Sequence, residues 1–168
     1  MPGDLVERLI AASQLHGDFV LSSGKRSTVY FDKFRFLTEP SLLRELATEV
    51  RGIVPAGVTH LAAPEGAATL LLAAVALEAG LPMVVVRKEP KAYGTKAQVE
   101  GGLPDGARVA LLEDVSTTGH QVERAARALE EAGAHVELII LVIDRGGADQ
   151  LRSAGYRVEA VASPRPRA

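Results

Sequence analysis

The chain has 168 residues, of which 47% are hydrophobic and 24% are charged, and its formal net charge is −2. These values predict a globular protein with one hydrophobic core and argue against a basic, nucleic-acid-binding surface. The chain has no cysteine, which excludes disulfides, zinc–thiolate sites and cysteine nucleophiles and fits a cytoplasmic protein.

The whole chain, residues 1–168, is predicted to form a single domain without a membrane segment. Its start is charged and lacks the apolar core of a signal peptide. The most apolar stretch, residues 67–79, is interrupted by Glu78 and is too short to span a bilayer. The Pro- and Arg-rich segment 163–168 is predicted to be a flexible tail.

Residues 1–40 are predicted to form a helix followed by a hairpin. The helix begins at Asp4, a good capping residue, and ends near Gly17. Two short strands, 19–21 and 27–32, then flank the turn at 22–25.

From residue 41 onward, helical and strand patterns alternate along the chain. The predicted helices are 41–51, 66–79, 121–132 and 148–153, and the predicted strands are 58–62, 83–86, 109–112, 136–143 and 156–161. This alternation predicts an α/β fold with a mainly parallel, five-stranded sheet flanked by helices, to which the N-terminal hairpin is appended. Ligands of such sheets bind beyond the carboxyl ends of the strands.

The segment 109–122, VALLEDVSTTGHQV, carries the strongest chemical signal. Glu113 and Asp114 are predicted to stand at the end of a buried strand, where one or both can face a cleft. The loop to Gly119 then feeds a helix N-terminus, whose free N–H groups and hydroxyls form an anion site. Because the lysine of a nucleotide-binding P-loop is absent, one phosphate monoester on a sugar fits best, with the acids on the sugar hydroxyls. The alternative is a plain helix cap made by Ser116 or Thr117.

Segment 109–122 resembles the phosphoribosyl pyrophosphate motif of the type I phosphoribosyltransferase family, and more closely that of its orotate-specific members. The resemblance implies the fold of that family, with the hairpin as a hood over the base site. It implies that Glu113 and Asp114 hold the ribose. It also implies that the loop holds the 5-phosphate through Ser116, Thr117, Thr118, Gly119, His120 and Gln121.

The hairpin sequence FVLSSGKRSTVYFD, residues 19–32, is similar to the family's substrate-contacting hairpin. On that resemblance, Lys25 or Arg26 contacts the diphosphate-bearing substrate, and Tyr30 and Phe31 border the pyrimidine. Since neighbouring strand residues point to opposite sides, at most one of these two aromatic residues needs to face the base.

Residues 87–101 resemble the family's mobile catalytic loop, although Tyr93 stands where a histidine is usual. The resemblance implies that Arg87, Lys88 and Lys91 clamp the leaving pyrophosphate and that Tyr93 takes the place of a proton donor. A solvated charged loop is the alternative. A long loop in a compact domain is often a lid, however, and a leaving pyrophosphate needs cations.

The segment Asp144-Arg145-Gly146 resembles the family's base-binding turn after the fourth sheet strand. Arg145 would bind the orotate ring, because its planar donor fork matches carboxylate and carbonyl oxygens. Thr117 would assist in setting the base. A surface turn in which Asp144 pairs with Arg145 is the alternative.

The resemblance implies transfer of a phosphoribosyl group from phosphoribosyl pyrophosphate to orotate, in pyrimidine biosynthesis. It also implies Mg²⁺ bridging the pyrophosphate with few direct protein ligands, and a homodimer. Two alternatives stay open. One is a regulator that binds phosphoribosyl pyrophosphate without turnover, favoured by Tyr93 and the alanines at 67 and 68. The other is a purine transferase, which the hairpin and the Asp-Arg-Gly turn oppose.

Overall fold

A computed structural model describes residues 2–21, 23–94 and 97–163 of the chain. Its helices are α1 (Pro2–Ser13), α2 (Phe34–Leu37), α3 (Pro40–Ile53), α4 (Ala68–Ala79), α5 (His120–Glu131) and α6 (Gly147–Ser153). Its strands are β1 (Gln14–Val20), β2 (Arg26–Phe31), β3 (His60–Pro64), β4 (Met83–Val86), β5 (Val99–Glu100), β6 (Arg108–Ser116), β7 (His135–Asp144) and β8 (Val158–Ala162). Apart from Ser163, the predicted tail lies outside the described residues.

The N-terminal region forms a helix and an antiparallel hairpin, as predicted, but their boundary is different. The first strand begins at Gln14, so α1 ends before the predicted stop at Gly17. The cause is the pairing with β2, which runs from Gln14 opposite Phe31 to Val20 opposite Arg26. The short helix α2, which was not predicted, follows the hairpin directly.

The main sheet has the strand order β5-β4-β3-β6-β7-β8. Five of these strands, β4, β3, β6, β7 and β8, are parallel, which confirms the predicted sheet. At the edge, β5 adds a two-residue antiparallel strand inside a segment in which no regular structure was predicted.

Helices cover both faces of this sheet. Strand β6 contributes side chains to the hydrophobic core on each face. Ala110 and Leu112 pack on the face covered by α3 and α4. Val109 and Leu111 pack on the face covered by α5 and α6. This period of two is the geometry of a strand that is buried on both faces. None of the helices in the described parts of the chain is long and apolar enough to cross a bilayer.

The carboxyl ends of β3, β4, β6 and β7 lie along one edge of the sheet. Pro64 pairs with Val86, and Ser116 pairs with Asp144. The segments that follow Val86, Ser116 and Asp144 contain predicted site residues, so these residues meet at this edge.

Candidate active site

The loop between β6 and α5 is shorter than the sequence suggested. Strand β6 continues to Ser116 and α5 begins at His120, with Gly119 in the left-handed region at φ 80°. A Cβ on Gly119 would lie 2.7 Å from the carbonyl oxygen of Gly147, so a larger residue would clash as well as strain the backbone. The first N–H groups of α5 have no acceptor within the helix and can therefore bind an anion.

This loop packs tightly against the turn that carries Arg145. The backbone N–H of Arg145 donates to the Ser116 carbonyl oxygen at 2.8 Å. Gly147 leaves room for Ser116, because a Cβ there would overlap Ser116 Oγ and would lie 2.9 Å from the Gly119 nitrogen. Ser116 is buried, and its hydroxyl has no hydrogen-bond partner among the described residues. The structure thus brings together two segments that the sequence predicted separately.

The two acids lie inside β6 and not after it, so their predicted position at the strand's end was wrong. The ladder continues past them because β7 extends to Asp144 and supplies partners as far as Ser116. As a result Glu113 is 5% exposed and Asp114 is fully buried.

Asp114 makes the most specific polar contacts of the pair. Its Oδ1 accepts hydrogen bonds from Lys33 Nζ at 3.2 Å and from the Val115 N–H at 2.6 Å. Its Oδ2 has no partner among the residues that the structure describes. Glu113 Oε1 accepts from the Asp114 N–H at 3.0 Å.

Burial, and secondarily the charge of Asp114, raises the pKa of Glu113 to about 8. A buried carboxyl next to a second carboxylate favours its neutral form. At neutral pH Glu113 is therefore mostly protonated, and it lies next to the ion pair between Lys33 and Asp114.

The hairpin brings one of the two aromatic residues of β2 close to Arg145. The Arg145 Cζ atom lies 5.3 Å from the centre of the Phe31 ring, within cation–π distance. Tyr30 lies on the other side of the strand, where its ring centre is 5.6 Å from that of Phe19. Phe31 and Arg145 are thus neighbours, while Tyr30 belongs to the outer side of the hairpin.

Lys25 and Arg26 sit at the exposed tip of the same hairpin. Arg26 forms an ion pair with Asp18 across the two strands. The carbonyl oxygen of Lys25 accepts from the Leu21 N–H at 2.8 Å and closes the turn. The contacts of Arg26 therefore lie within the hairpin, and Lys25 is exposed to solvent.

The cation-rich segment after β4 folds back on itself. The Arg87 N–H donates to the Gln98 carbonyl oxygen at 2.8 Å. The Lys91 ammonium lies 2.6 Å from Glu100 Oε1, and an Arg87 nitrogen lies 3.9 Å from the same oxygen. Tyr93 is 71% exposed. Lys96, a further cation of this segment, lies outside the described residues.

Lys88 connects this segment to two neighbouring elements. Its N–H donates to Glu65 Oε1 at 2.7 Å, and its carbonyl oxygen accepts from Arg124 on α5 at 3.2 Å. Arg124 also pairs with Glu89 at 3.1 Å. The start of the segment is therefore fixed both to the end of β3 and to α5.

A cavity of about 290 Å³ lies between this segment and the N-terminus of α5. Residues from both predicted anion sites line it, namely Arg87, Lys88, Thr118, His120 and Gln121, together with Arg124 of α5, which was not predicted. A cavity with this lining suits a ligand that carries phosphate groups, because its walls are cationic and hydrogen-bonding.

Sequence reasoning missed Lys33, Glu65, Gln98, Glu100 and Arg124. Glu65 could have been found, because it follows β3 at the edge of the sheet where ligands bind. No local pattern points to Lys33, whose partner is 81 residues away. The described residues contain no group of three or more His, Asp or Glu side chains that could hold a metal ion.

Comparison with known proteins identifies the family. The family model of the phosphoribosyl transferase domain matches residues 38–161. The orotate phosphoribosyltransferase of Thermococcus gammatolerans is 41% identical over 158 residues, which cover 90% of this chain and 84% of that protein. This chain belongs to the orotate phosphoribosyltransferase family. The resemblance of residues 109–122 to that family's motif is thereby confirmed.

Solved structures of orotate phosphoribosyltransferases confirm the fold. The Mycobacterium tuberculosis enzyme, crystallised with Fe(III) dicitrate, superimposes with a TM-score of 0.85 at 28% identity, covering 96% of this chain and 95% of that one. The Aeropyrum pernix enzyme has a TM-score of 0.79 at 34% identity, with coverage of 97% and 93%. The orotate phosphoribosyltransferase fold therefore includes the N-terminal hairpin that lies outside the matched phosphoribosyl transferase domain.

Proposed function

We propose that the chain is an orotate phosphoribosyltransferase, a pentosyltransferase of de novo UMP synthesis. It transfers the 5-phosphoribosyl group of phosphoribosyl pyrophosphate to orotate and forms orotidine 5'-monophosphate and pyrophosphate. The observation that carries the proposal is the tight packing of the loop 116–119 against the Arg145 turn, with the Arg145 N–H on the Ser116 carbonyl oxygen at 2.8 Å. This contact joins a phosphate site to a site for a planar anion.

The 5-phosphate binds at the N-terminus of α5, where backbone N–H groups and the hydroxyls of Thr117 and Thr118 converge. The ribose lies over Asp114, and Oδ2, which has no partner among the described residues, accepts a hydrogen bond from a ribose hydroxyl. The negative charge of Asp114 also favours the electron-poor, oxocarbenium-like sugar of the transition state.

The pyrophosphate leaves toward the cationic segment after β4, where Arg87, Lys88 and Lys91 stabilise its charge. The substrate is the magnesium complex of phosphoribosyl pyrophosphate, in which the cation is held through the diphosphate oxygens. When bound, magnesium neutralises the diphosphate and makes it a better leaving group.

Orotate binds between the main sheet and the N-terminal hairpin, which forms the hood. Phe31 supplies an aromatic face, and Arg145, 5.3 Å from that ring, supplies a planar donor fork for the orotate carboxylate and carbonyl groups. Thr117 completes the base site. Tyr93 serves as a hydrogen-bond donor on the mobile segment, in the position where relatives usually have histidine.

The family resemblance supports a homodimer. Leu70 and Leu77 lie seven residues apart on one side of α4, and their side chains are 39% and 87% exposed. An exposed apolar stripe of this kind is typical of a subunit interface. Light scattering on the purified protein should give twice the chain mass, and a monomer mass would contradict this assignment.

The alternative of a binding protein without turnover is not favoured. The alanines that prompted it, Ala67 and Ala68, are 6% and 2% exposed and pack into the core beside α4. Gly66 supplies the positive φ of 114° at this turn. Core packing thus accounts for the two alanines.

The test is the fall in orotate absorbance when the protein is mixed with phosphoribosyl pyrophosphate and magnesium. We expect consumption of orotate with release of one pyrophosphate per orotate. Asp114→Asn should abolish most of the rate, while Asp149→Asn, at a carboxyl that is 93% exposed on α6, should not change it. Binding of phosphoribosyl pyrophosphate without any loss of orotate would refute the proposal.

A further inference from the structure

The ion pair between Lys33 and Asp114 joins the hood to the floor of the ribose site. Lys33 follows β2 and caps the start of α2, and it stands two residues after Phe31. Its ammonium lies 3.2 Å from Asp114 Oδ1, across 81 residues of sequence. The Lys33 side chain is 41% exposed, whereas that of Asp114 is fully buried. The ammonium group therefore lies nearer to the solvent than the carboxylate does.

This cation is important because of the burial of Asp114. A buried, ionised carboxylate is strongly disfavoured unless a partner compensates its charge. Within the described ranges no second Lys or Arg lies within ion-pair distance of Asp114. Lys33 is thus the cation that compensates the buried carboxylate of Asp114.

The contact also leaves one oxygen of Asp114 free. Lys33 and the Val115 N–H both bind Oδ1. Oδ2 is buried and has no partner in the part of the chain that the structure describes. A buried acceptor without a partner is unusual in a native protein and requires a role.

We propose that Lys33 is a positioning residue for ribose recognition: by holding Oδ1 it keeps the Asp114 carboxylate oriented so that Oδ2 accepts a hydrogen bond from a ribose hydroxyl. The inference rests on the proposed function only in that the ligand is a phosphorylated ribose. Because Lys33 lies beside Phe31 in the chain, the same contact fixes the hood relative to the sugar.

Calorimetric binding of two probes separates this role from a general effect on the fold. Ribose 5-phosphate contacts both the phosphate loop and Asp114, whereas inorganic phosphate needs only the loop. We expect Lys33→Met, which keeps the aliphatic stem, to weaken ribose 5-phosphate binding about tenfold or more, since hydrogen bonds to charged groups are strong. Inorganic phosphate should bind as it does to the unsubstituted protein.

Three further variants complete the experiment. Lys33→Arg should restore most of the ribose 5-phosphate affinity, because it returns a cation. Arg35→Met removes an exposed charge from α2, and it should have no effect. Asp114→Asn combined with Lys33→Met should lose little more than Asp114→Asn alone, because residues that act as a unit are not additive.

The result that would overturn the inference is equal binding of ribose 5-phosphate to Lys33→Met and to the unsubstituted protein. An equal loss of affinity for ribose 5-phosphate and for inorganic phosphate would also overturn it. That result would mean that Lys33 supports the folding of the phosphate loop and not the recognition of ribose. If the protein binds ribose 5-phosphate but never consumes orotate, the proposed function fails while the role of Lys33 is still tested. In turnover, Lys33→Met should raise the KM for phosphoribosyl pyrophosphate more than the KM for orotate.

Discussion

The Lys91 ammonium lies 2.6 Å from Glu100 Oε1, and Arg87 approaches the same oxygen to 3.9 Å. Two of the cations that we assign to the leaving pyrophosphate are therefore partnered by one carboxylate. A diphosphate that enters the site must compete with Glu100 for them. This competition sets a limit on the affinity for pyrophosphate.

Glu100→Gln should therefore tighten pyrophosphate binding. Since a partly exposed ion pair contributes about 0.2–1 kcal/mol, the expected gain in affinity is about 1.4-fold to fivefold, measured by calorimetry. Glu89→Gln is the matched control, because Glu89 lies in the same segment but pairs with Arg124. Unchanged or weaker pyrophosphate binding by Glu100→Gln would contradict the competition.

Arg145 should determine the affinity for orotate. Arg145→Gln removes the donor fork beside Phe31 and should raise the KM for orotate at least about tenfold, with little change for phosphoribosyl pyrophosphate. Arg145→Lys should not restore it, because a lysine cannot present a planar fork or stack on the ring. Arg152→Gln, on α6, serves as the control. A normal KM for orotate in Arg145→Gln would remove Arg145 from the base site.

Gly119 should be required for the shape of the phosphate loop. In Gly119→Ala the new Cβ meets the Gly147 carbonyl oxygen at 2.7 Å and the backbone keeps φ 80°. We expect loss of inorganic phosphate binding and a loss of about 1–3 kcal/mol in unfolding free energy. Gly106→Ala carries the same kind of strain at φ 77° with no atom within 4 Å. Gly106→Ala should lose stability but keep phosphate binding. If it also lost phosphate binding, backbone strain alone would explain the loss of binding in Gly119→Ala.

Glu113 should make the protein less stable as pH rises. Burial raises the pKa of Glu113 from 4.5 to about 8 in the folded protein. Between these two values the folded state binds more protons than the unfolded state, so the free energy of unfolding falls with increasing pH. Denaturant unfolding between pH 5 and about 8 should show this fall, and Glu113→Gln should reduce it. The same slope in both proteins would contradict the raised pKa.

The sequence predicted the parallel sheet well because apolar runs such as Met83–Val86 are local features. Strand alternation also predicted that Tyr30 and Phe31 point to opposite sides, and the structure places Tyr30 beside Phe19 and Phe31 beside Arg145. The start of β1 at Gln14 was missed because the pairing of Gln14 with Phe31 is a tertiary contact. The burial of Asp114 was missed for the same reason.

The candidate site shows the same difference between local features and tertiary contacts. The residues of the phosphate loop are contiguous in sequence, so their proximity could be predicted. Lys33 and Glu100 act through partners that only the fold brings near, and neither stands in a pattern that indicates its role.

The most direct test of the whole account is single-turnover consumption of orotate by the protein with phosphoribosyl pyrophosphate and magnesium, compared with its Asp114→Asn variant. The account predicts that the unsubstituted protein converts orotate to orotidine 5'-monophosphate and that Asp114→Asn is slower by roughly 10²-fold or more. Equal rates in the two proteins, or no orotidine 5'-monophosphate from either, would contradict it.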